Sequence, residues 1–210
     1  MNVAAPTAEP VTIAGPAGSI EALVEVPAGY TGERCAVICH PHPLYGGTLT
    51  NKVVYITARA LQERGFATLR FNFRGVGGSA GVYDDGLGET ADAIAACDYA
   101  LARWPRASLT LAGFSFGSFV AFRVALQRDL RELIMIAPPV RRFAFGTDDL
   151  PRVPWVVIQG DTDDVVECAD VQAWVASLTT PPKLQIIPGA EHFFHGRLND
   201  LKAAVQSSLV

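Results

Sequence analysis

Much is scarce in this 210-residue chain, and each scarcity narrows what it does. No stretch approaches the roughly 18 consecutive apolar residues of a membrane-spanning helix, so no membrane partner is expected. There is no basic tract of five or more residues and the net charge is −4, so bulk charge offers nothing to nucleic acid or to an anionic bilayer. The first residues, MNVAAPTAEPVTIAGP, have neither a basic start nor an apolar run of signal-peptide length, and a cytoplasmic location is the expectation. Cysteine is limited to Cys35, Cys39, Cys97 and Cys168. The first two would share one strand, about 13 Å apart at the usual rise per residue, too far for a disulfide. Four reduced, mostly buried thiols are expected. No repeat and no low-complexity linker divides the chain, so residues 1–210 read as a single domain with a sizeable core.

Against those absences stands a regular alternation. Residues 19–26, 35–39, 67–73, 108–112, 132–137, 155–159 and 183–187 are short apolar runs rich in β-branched residues and read as strands. Between and after them, residues 51–64, 89–104, 167–178 and 195–208 have helical spacing, as does the segment after Ser115 that carries Phe119, Phe122, Val124 and Leu126. Gly65 and Pro105 are placed to end two of these helices. Strands apolar on both faces that alternate with helices predict an α/β fold with a mostly parallel sheet of seven to eight strands. Residues 1–18 are expected as an extension or a marginal first strand. In such sheets, reactive groups collect just beyond the carboxyl ends of the strands.

One of those junctions reads Gly113-Phe114-Ser115-Phe116-Gly117, the G-x-S-x-G pattern of a nucleophile elbow, between a strand and a helix. The turn is so tight that positions two before and two after the serine meet backbone, which favours glycine. The serine hydroxyl is raised above the sheet edge, where the unpaired N–H groups of the new helix point at developing negative charge. A serine needs a base to take its proton. The elbow expects the chain order Ser, Asp or Glu, His, and only His192 and His195 follow Ser115. His192 lies directly beyond the strand at 183–187. His195 is expected inside the first helical turn, turned aside. The acid is sought in Gly160-Asp161-Thr162-Asp163-Asp164. Asp163 can reach back to an imidazole, Asp161 is the alternative, and Asp164 is placed as a cap for the helix near 167.

HPHPLYGG, FNFRGVGGSAG, GFSFGS, APPV, QGDTDDVV and PGAEHFFHGRL, in this order, resemble the small bacterial serine hydrolases of the α/β-hydrolase superfamily. They are similar to compact esterases related to dienelactone hydrolase, and the likeness runs over residues 19–205. The resemblance implies an α/β-hydrolase fold, an acid on the G-x-x-D position, Asp163, and a base on the G-x-x-H position, His192. It also implies an oxyanion hole with one backbone donor at Phe116 and a second in the loop after the third strand. Here that loop reads His40-Pro41-His42-Pro43, where relatives carry His-Gly, and Pro41 and Pro43 have no N–H. His42 is the expected second donor, with Tyr45 as a further source of an N–H or hydroxyl.

The same residues admit other readings. Gly75-Val76-Gly77-Gly78-Ser79 nearly matches a dinucleotide fingerprint but opens no helix, so a tight turn is expected there. His40 and His42 with Asp161, Asp163 and His192 would make a metal site, and the fold also supports a non-catalytic ligand-binding protein or a thioesterase or acyltransferase. The reading carried forward is a serine hydrolase of small or short-chain esters, with no metal and no organic cofactor. The connection Pro138–Pro154 is too short for a cap domain. Phe114, Phe116, Phe143, Phe145 and Phe193 are candidates to line an acyl pocket, and Arg141 and Arg142 to meet a substrate carboxylate.

Overall fold

A computed structural model describes residues 6–209 of the chain. Eight strands join in one sheet among these residues: β1 (Thr7–Gly15), β2 (Gly18–Val26), β3 (Arg34–Cys39), β4 (Ala67–Phe71), β5 (Ser108–Phe114), β6 (Glu132–Ile136), β7 (Trp155–Gly160) and β8 (Lys183–Ile187). The helices are α1 (Lys52–Gln62), α2 (Leu87–Arg103), α3 (Phe116–Ala125), α4 (Cys168–Ser177) and α5 (Leu198–Ser208). The order across the sheet is β1-β2-β4-β3-β5-β6-β7-β8, parallel from β4 onward, with β2 antiparallel to both β1 and β4. Chain direction across the sheet reverses at β3, which has β4 on one side and β5 on the other. Such a reversal opens a crevice at the carboxyl edge.

The period-two alternation of each central strand feeds two cores. Val37, Leu111, Met135 and Val157 point toward α2, α3 and α4, where they meet Ala93, Phe119 and Val171. Ile38, Phe114, Ile136 and Ile158 point the other way, toward Val54 and Leu61 of α1 and Leu201 of α5. With both faces covered, the strands carry apolar residues throughout.

The stretch expected as an extension or marginal strand differs: residues 7–15 form a full nine-residue strand paired with β2 from Thr7↔Val26 to Gly15↔Gly18. Its faint signal follows from its place at the sheet edge. Only Ile13 is fully buried, and Pro10 is tolerated because an edge strand can spare an N–H. The last helix begins at Leu198, so His195 lies in the turn before it, not in its first turn. The connection between β6 and β7 contains neither helix nor strand, and it folds back so that Phe143 stacks on Phe119 and Phe145 packs on Phe122.

A buried ion pair joins the antiparallel edge to the parallel centre. Arg70 of β4 donates through Nε (2.9 Å) and Nη2 (2.8 Å) to Glu25 Oε2 of β2, and through Nη1 (2.7 Å) to the carbonyl of Leu49. Removing one partner strands the other charge in a dry site, which costs about 3–5 kcal/mol. Urea unfolding of Glu25→Ala should therefore show a loss of about 3 kcal/mol. Glu25→Leu combined with Arg70→Met should recover most of it, and a loss below about 1 kcal/mol in the single variant would contradict the reading.

Candidate active site

Ser115 stands between β5 and α3 with φ 53° and ψ −121°, a left-handed conformation that costs a non-glycine residue about 1–3 kcal/mol. Three hydrogen bonds hold it there. Ser115 N donates to the Ile136 carbonyl (2.8 Å), and the Ser115 carbonyl accepts from Ser118 N (2.8 Å) and Ser118 Oγ (2.6 Å). The flanking glycines are required by approach distance: a Cβ at Gly113 would collide with the Gly117 carbonyl, and one at Gly117 with the carbonyls of Cys39 and His40. The first turn of α3 is thereby seated directly on the end of β3.

Across the crevice, His192 and Asp163 complete a hydrogen-bonded chain. His192 Nε2 lies 3.1 Å from Ser115 Oγ, and His192 Nδ1 lies 2.8 Å from Asp163 Oδ2. Asp163 Oδ1 accepts from the N–H groups of Val165 (2.9 Å) and Val166 (2.7 Å), and Oδ2 also accepts from Gln159 Nε2 (3.1 Å). Burial alone would raise the Asp163 pKa. The hydrogen bond and charge of His192, with the two backbone donors, outweigh it and hold the carboxyl below its usual range, so it is ionised near neutral pH. An ionised Asp163 accepts from Nδ1–H, which leaves the Nε2 lone pair facing the serine hydroxyl. The arrangement can take a proton from Ser115 and stabilise the imidazolium that results.

The loop after β3 forms the opposite wall. His40 is fully buried; its Nδ1–H donates to the Pro41 carbonyl (2.6 Å), and its Nε2 accepts from Phe73 N (3.0 Å). Burial pushes its pKa down to about 4, the bond to the Pro41 carbonyl opposing only in part. Two residues on, His42 Nδ1 accepts from Leu44 N (3.3 Å), so Nε2 carries the proton and donates to the Tyr83 hydroxyl (3.1 Å). The N–H of Tyr45 is used within the turn, on the His42 carbonyl (3.1 Å). The N–H groups of Phe116 and His42 have no hydrogen-bond acceptor among the described residues. Both residues line the same cavity as Ser115.

That cavity measures about 430 Å³ and is walled chiefly by Pro41, Tyr45, Phe116, Phe143, Val165 and Phe193, with Ser115 and His192 at its floor. No cap covers it. Large exposed apolar side chains gather around its mouth: Leu44, Tyr45, Val165 and Phe193 all lie on loops at the carboxyl edge of the sheet.

Comparison with known proteins shows the family. A family model described as serine aminopeptidase, S33, matches residues 46–144. XC6422 of Xanthomonas campestris, described as an α/β serine hydrolase without a lid, is 41% identical over 96% of this chain and 93% of its own, with a TM-score of 0.91. The chain belongs to the lidless α/β serine hydrolases. An α/β serine hydrolase homologue from Coxiella burnetii is 42% identical over 96% of this chain and 97% of its own, with a TM-score of 0.92. Dienelactone hydrolase from Anabaena variabilis shares the fold at 18% identity and a TM-score of 0.81, with 97% of each chain covered. The α/β-hydrolase fold expected from the motifs is the fold observed.

Several expectations are revised in this hydrolase. Phe114 does not reach the cavity. Strand alternation turns it to the α1 and α5 side, where it lies beneath His192 (5.0 Å between rings) and Phe193 (5.9 Å). Phe145 is likewise core, against Phe122 and Trp174, whereas Phe143 and Phe193 do line the cavity. Tyr45 lines it too, but its N–H is spent. Asp161 is tied to Gly189 N (2.6 Å), Asp164 is exposed and does not cap α4, and His195 pairs with Glu191 at the surface. Arg141 pairs with Asp170 (2.9 Å), while Arg142 lines the cavity.

The rival readings find other uses for their residues. Both ring nitrogens of His40 are occupied by backbone, which removes it from any ligand set, and no three His, Cys, Asp or Glu side chains gather as a metal site among the described residues. In the glycine loop, Glu21 Oε2 accepts from Gly78 N (2.7 Å) and Asn72 Nδ2 (2.7 Å), so a carboxylate of the chain itself sits where a phosphate would. Cys35, Cys39 and Cys97 are free and buried, and Cys168 is free and half-buried. No helix of the described residues is long and apolar enough to cross a membrane. Asn51, Tyr83 and Gln159 escaped sequence reasoning. Only Gln159, a polar residue ending the apolar run WVVIQ, left a usable signal.

His40 makes the site pH-sensitive in a definite direction. Its folded pKa, about 4, lies below the ordinary 6.5, so the unfolded chain binds more protons between these values. The contribution is fully present above pH 6.5 and lost as pH falls toward 4, a difference of about 3 kcal/mol. Stability curves of the wild type and His40→Gln should converge by about that amount over this window. Parallel curves would contradict the assignment.

Proposed function

We propose that this hydrolase cleaves small or short-chain carboxylic esters through an acyl-enzyme on Ser115. The observation that carries the reading is the Ser115–His192–Asp163 chain, with spacings of 3.1 and 2.8 Å, facing a cavity that is also lined by Phe116 and His42, whose N–H groups have no acceptor among the described residues.

In the first half-reaction, His192 Nε2 takes the hydroxyl proton as Ser115 Oγ attacks the ester carbonyl carbon. Negative charge develops on the carbonyl oxygen. The N–H groups of Phe116 and His42 receive it, the first with the favourable field of the α3 N-terminus behind it. Asp163 keeps the imidazole in the right tautomer and balances the imidazolium. The tetrahedral intermediate collapses as His192 gives its proton to the departing alcohol, leaving an ester on Ser115. A water then takes the alcohol's place: His192 removes its proton, the oxygen attacks the acyl carbon, and the proton is returned to Ser115 as the acid leaves. No step requires a metal or an organic cofactor.

Cavity size and the absence of a cap support small soluble substrates. About 430 Å³ is at the lower end of the usual range for small-molecule sites. The free cysteines suit a reducing, cytoplasmic compartment. p-Nitrophenyl esters of rising acyl length provide the test. Turnover should peak at short chains and fall at long ones, and Ser115→Ala should lower kcat by about 10⁴-fold or more while the fold is kept. An optimum at long chains would contradict the substrate class, and full activity in Ser115→Ala would contradict the mechanism.

A further inference from the structure

Gln159 is fully buried near the carboxyl end of β7, on the face that carries Trp155 and Val157. A polar side chain there needs partners, and its Nε2 finds them in the loop that holds the acid, while Oε1 has none among the described residues. Its Nε2 lies 3.1 Å from Asp163 Oδ2, 3.0 Å from the Val166 carbonyl and 3.3 Å from the Gly160 carbonyl. All three are acceptors, which settles the amide orientation, since Oε1 in that position would face only oxygens. The two protons of Nε2 therefore go to the Asp163 carboxylate and the Val166 carbonyl. Asp163 then accepts four hydrogen bonds in all: Val165 and Val166 N–H on Oδ1, Gln159 and His192 on Oδ2. A carboxylate offers about four such positions, so none is left over.

We propose that Gln159 is a positioning residue for the Ser115–His192–Asp163 chain, holding Asp163 Oδ2 in place and sharing its charge. The inference rests on the ester-hydrolase reading for its kinetic consequences and on geometry for the rest. By tying Val166 back to the strand, Gln159 braces the loop 161–166 that carries the acid. By donating to the same oxygen as His192, it draws off part of the negative charge that would otherwise stabilise the imidazolium. Without that donor, Asp163 binds the imidazolium more strongly, and a higher pH is needed to free the base. The other ionisable groups facing this pair are Cys168 at the start of α4, Lys52 of α1 behind the Phe193 ring, and His42 and Arg142 across the cavity. None of them touches Gln159, so a change at Gln159 leaves their number and placement as they are. Gln159 also does not line the cavity, so it has no direct hold on substrate.

Gln159→Met keeps the length and removes the donor; Gln159→Asn keeps an amide but draws it back from Asp163. In both, the acid limb of the kcat/KM profile for a short p-nitrophenyl ester should move up by about half a pH unit or more. kcat should fall about tenfold with KM nearly unchanged, because orientation is lost and binding is not. The downfield proton signal of His192 Nδ1–H should move further downfield as the bond to Asp163 strengthens, a readout that needs no turnover. Should Gln159→Met fail to fold, Gln159→Asn carries the same expectations. Lower thermal stability with an unmoved acid limb, kcat and proton signal would overturn the proposal and leave Gln159 as loop packing. A shifted proton signal in a protein whose wild type hydrolyses no ester would uphold the positioning role and instead refute the esterase reading.

Discussion

Everything in the site depends on how closely the first turn of α3 approaches the end of β3. Gly117 lies against the Cys39 and His40 carbonyls, and Gly113 against the Gly117 carbonyl, with no room for a Cβ at either. That contact forces Ser115 to φ 53° and lifts its hydroxyl clear of the sheet. It also brings the Phe116 N–H beside the His42 loop, because β3 and β5 are neighbours at the point where strand order reverses. The local strain is offset by the Ser115–Ile136 backbone bond and by the apolar cores packed on both faces of these strands.

A second theme is the use of polar side chains to fix loops on this frame. His40 ties the end of β3 to Phe73, Glu21 fills the glycine loop, and Gln159 and two N–H groups saturate Asp163. Both ring nitrogens of His40 and the Nε2 of Gln159 are paired, which is what makes their burial tolerable, while Gln159 Oε1 has no partner among the described residues. The β6–β7 connection is likewise pinned, by Phe143 and Phe145 on α3.

The sequence made the fold and the chain of three side chains legible for a physical reason. Apolar runs buried on both faces announce a parallel sheet, and the glycines around Ser115 and before Asp163 and His192 mark turns that backbone geometry imposes. What stayed hidden depends on direction and on pairing. That Phe114 turns away from the cavity is decided by strand alternation relative to a helix start that sequence locates only to within a residue or two, and that Phe143 faces it by the way the β6–β7 connection folds back. The edge strand β1 was faint because only one of its faces is covered. Tyr83 owes its place at the site to long-range loop packing, for which no local pattern exists, whereas Asn51 stands there as the N-cap of α1.

The account stands on an activated serine at one position. Native protein treated with a fluorophosphonate, followed by intact mass and peptide mapping, reads that directly. The expected result is a single adduct on Ser115, absent in Ser115→Ala and sharply slowed in His192→Ala, since the hydroxyl gains its reactivity only from the imidazole. Well-folded protein that takes up no adduct, or one that is labelled elsewhere, would contradict it.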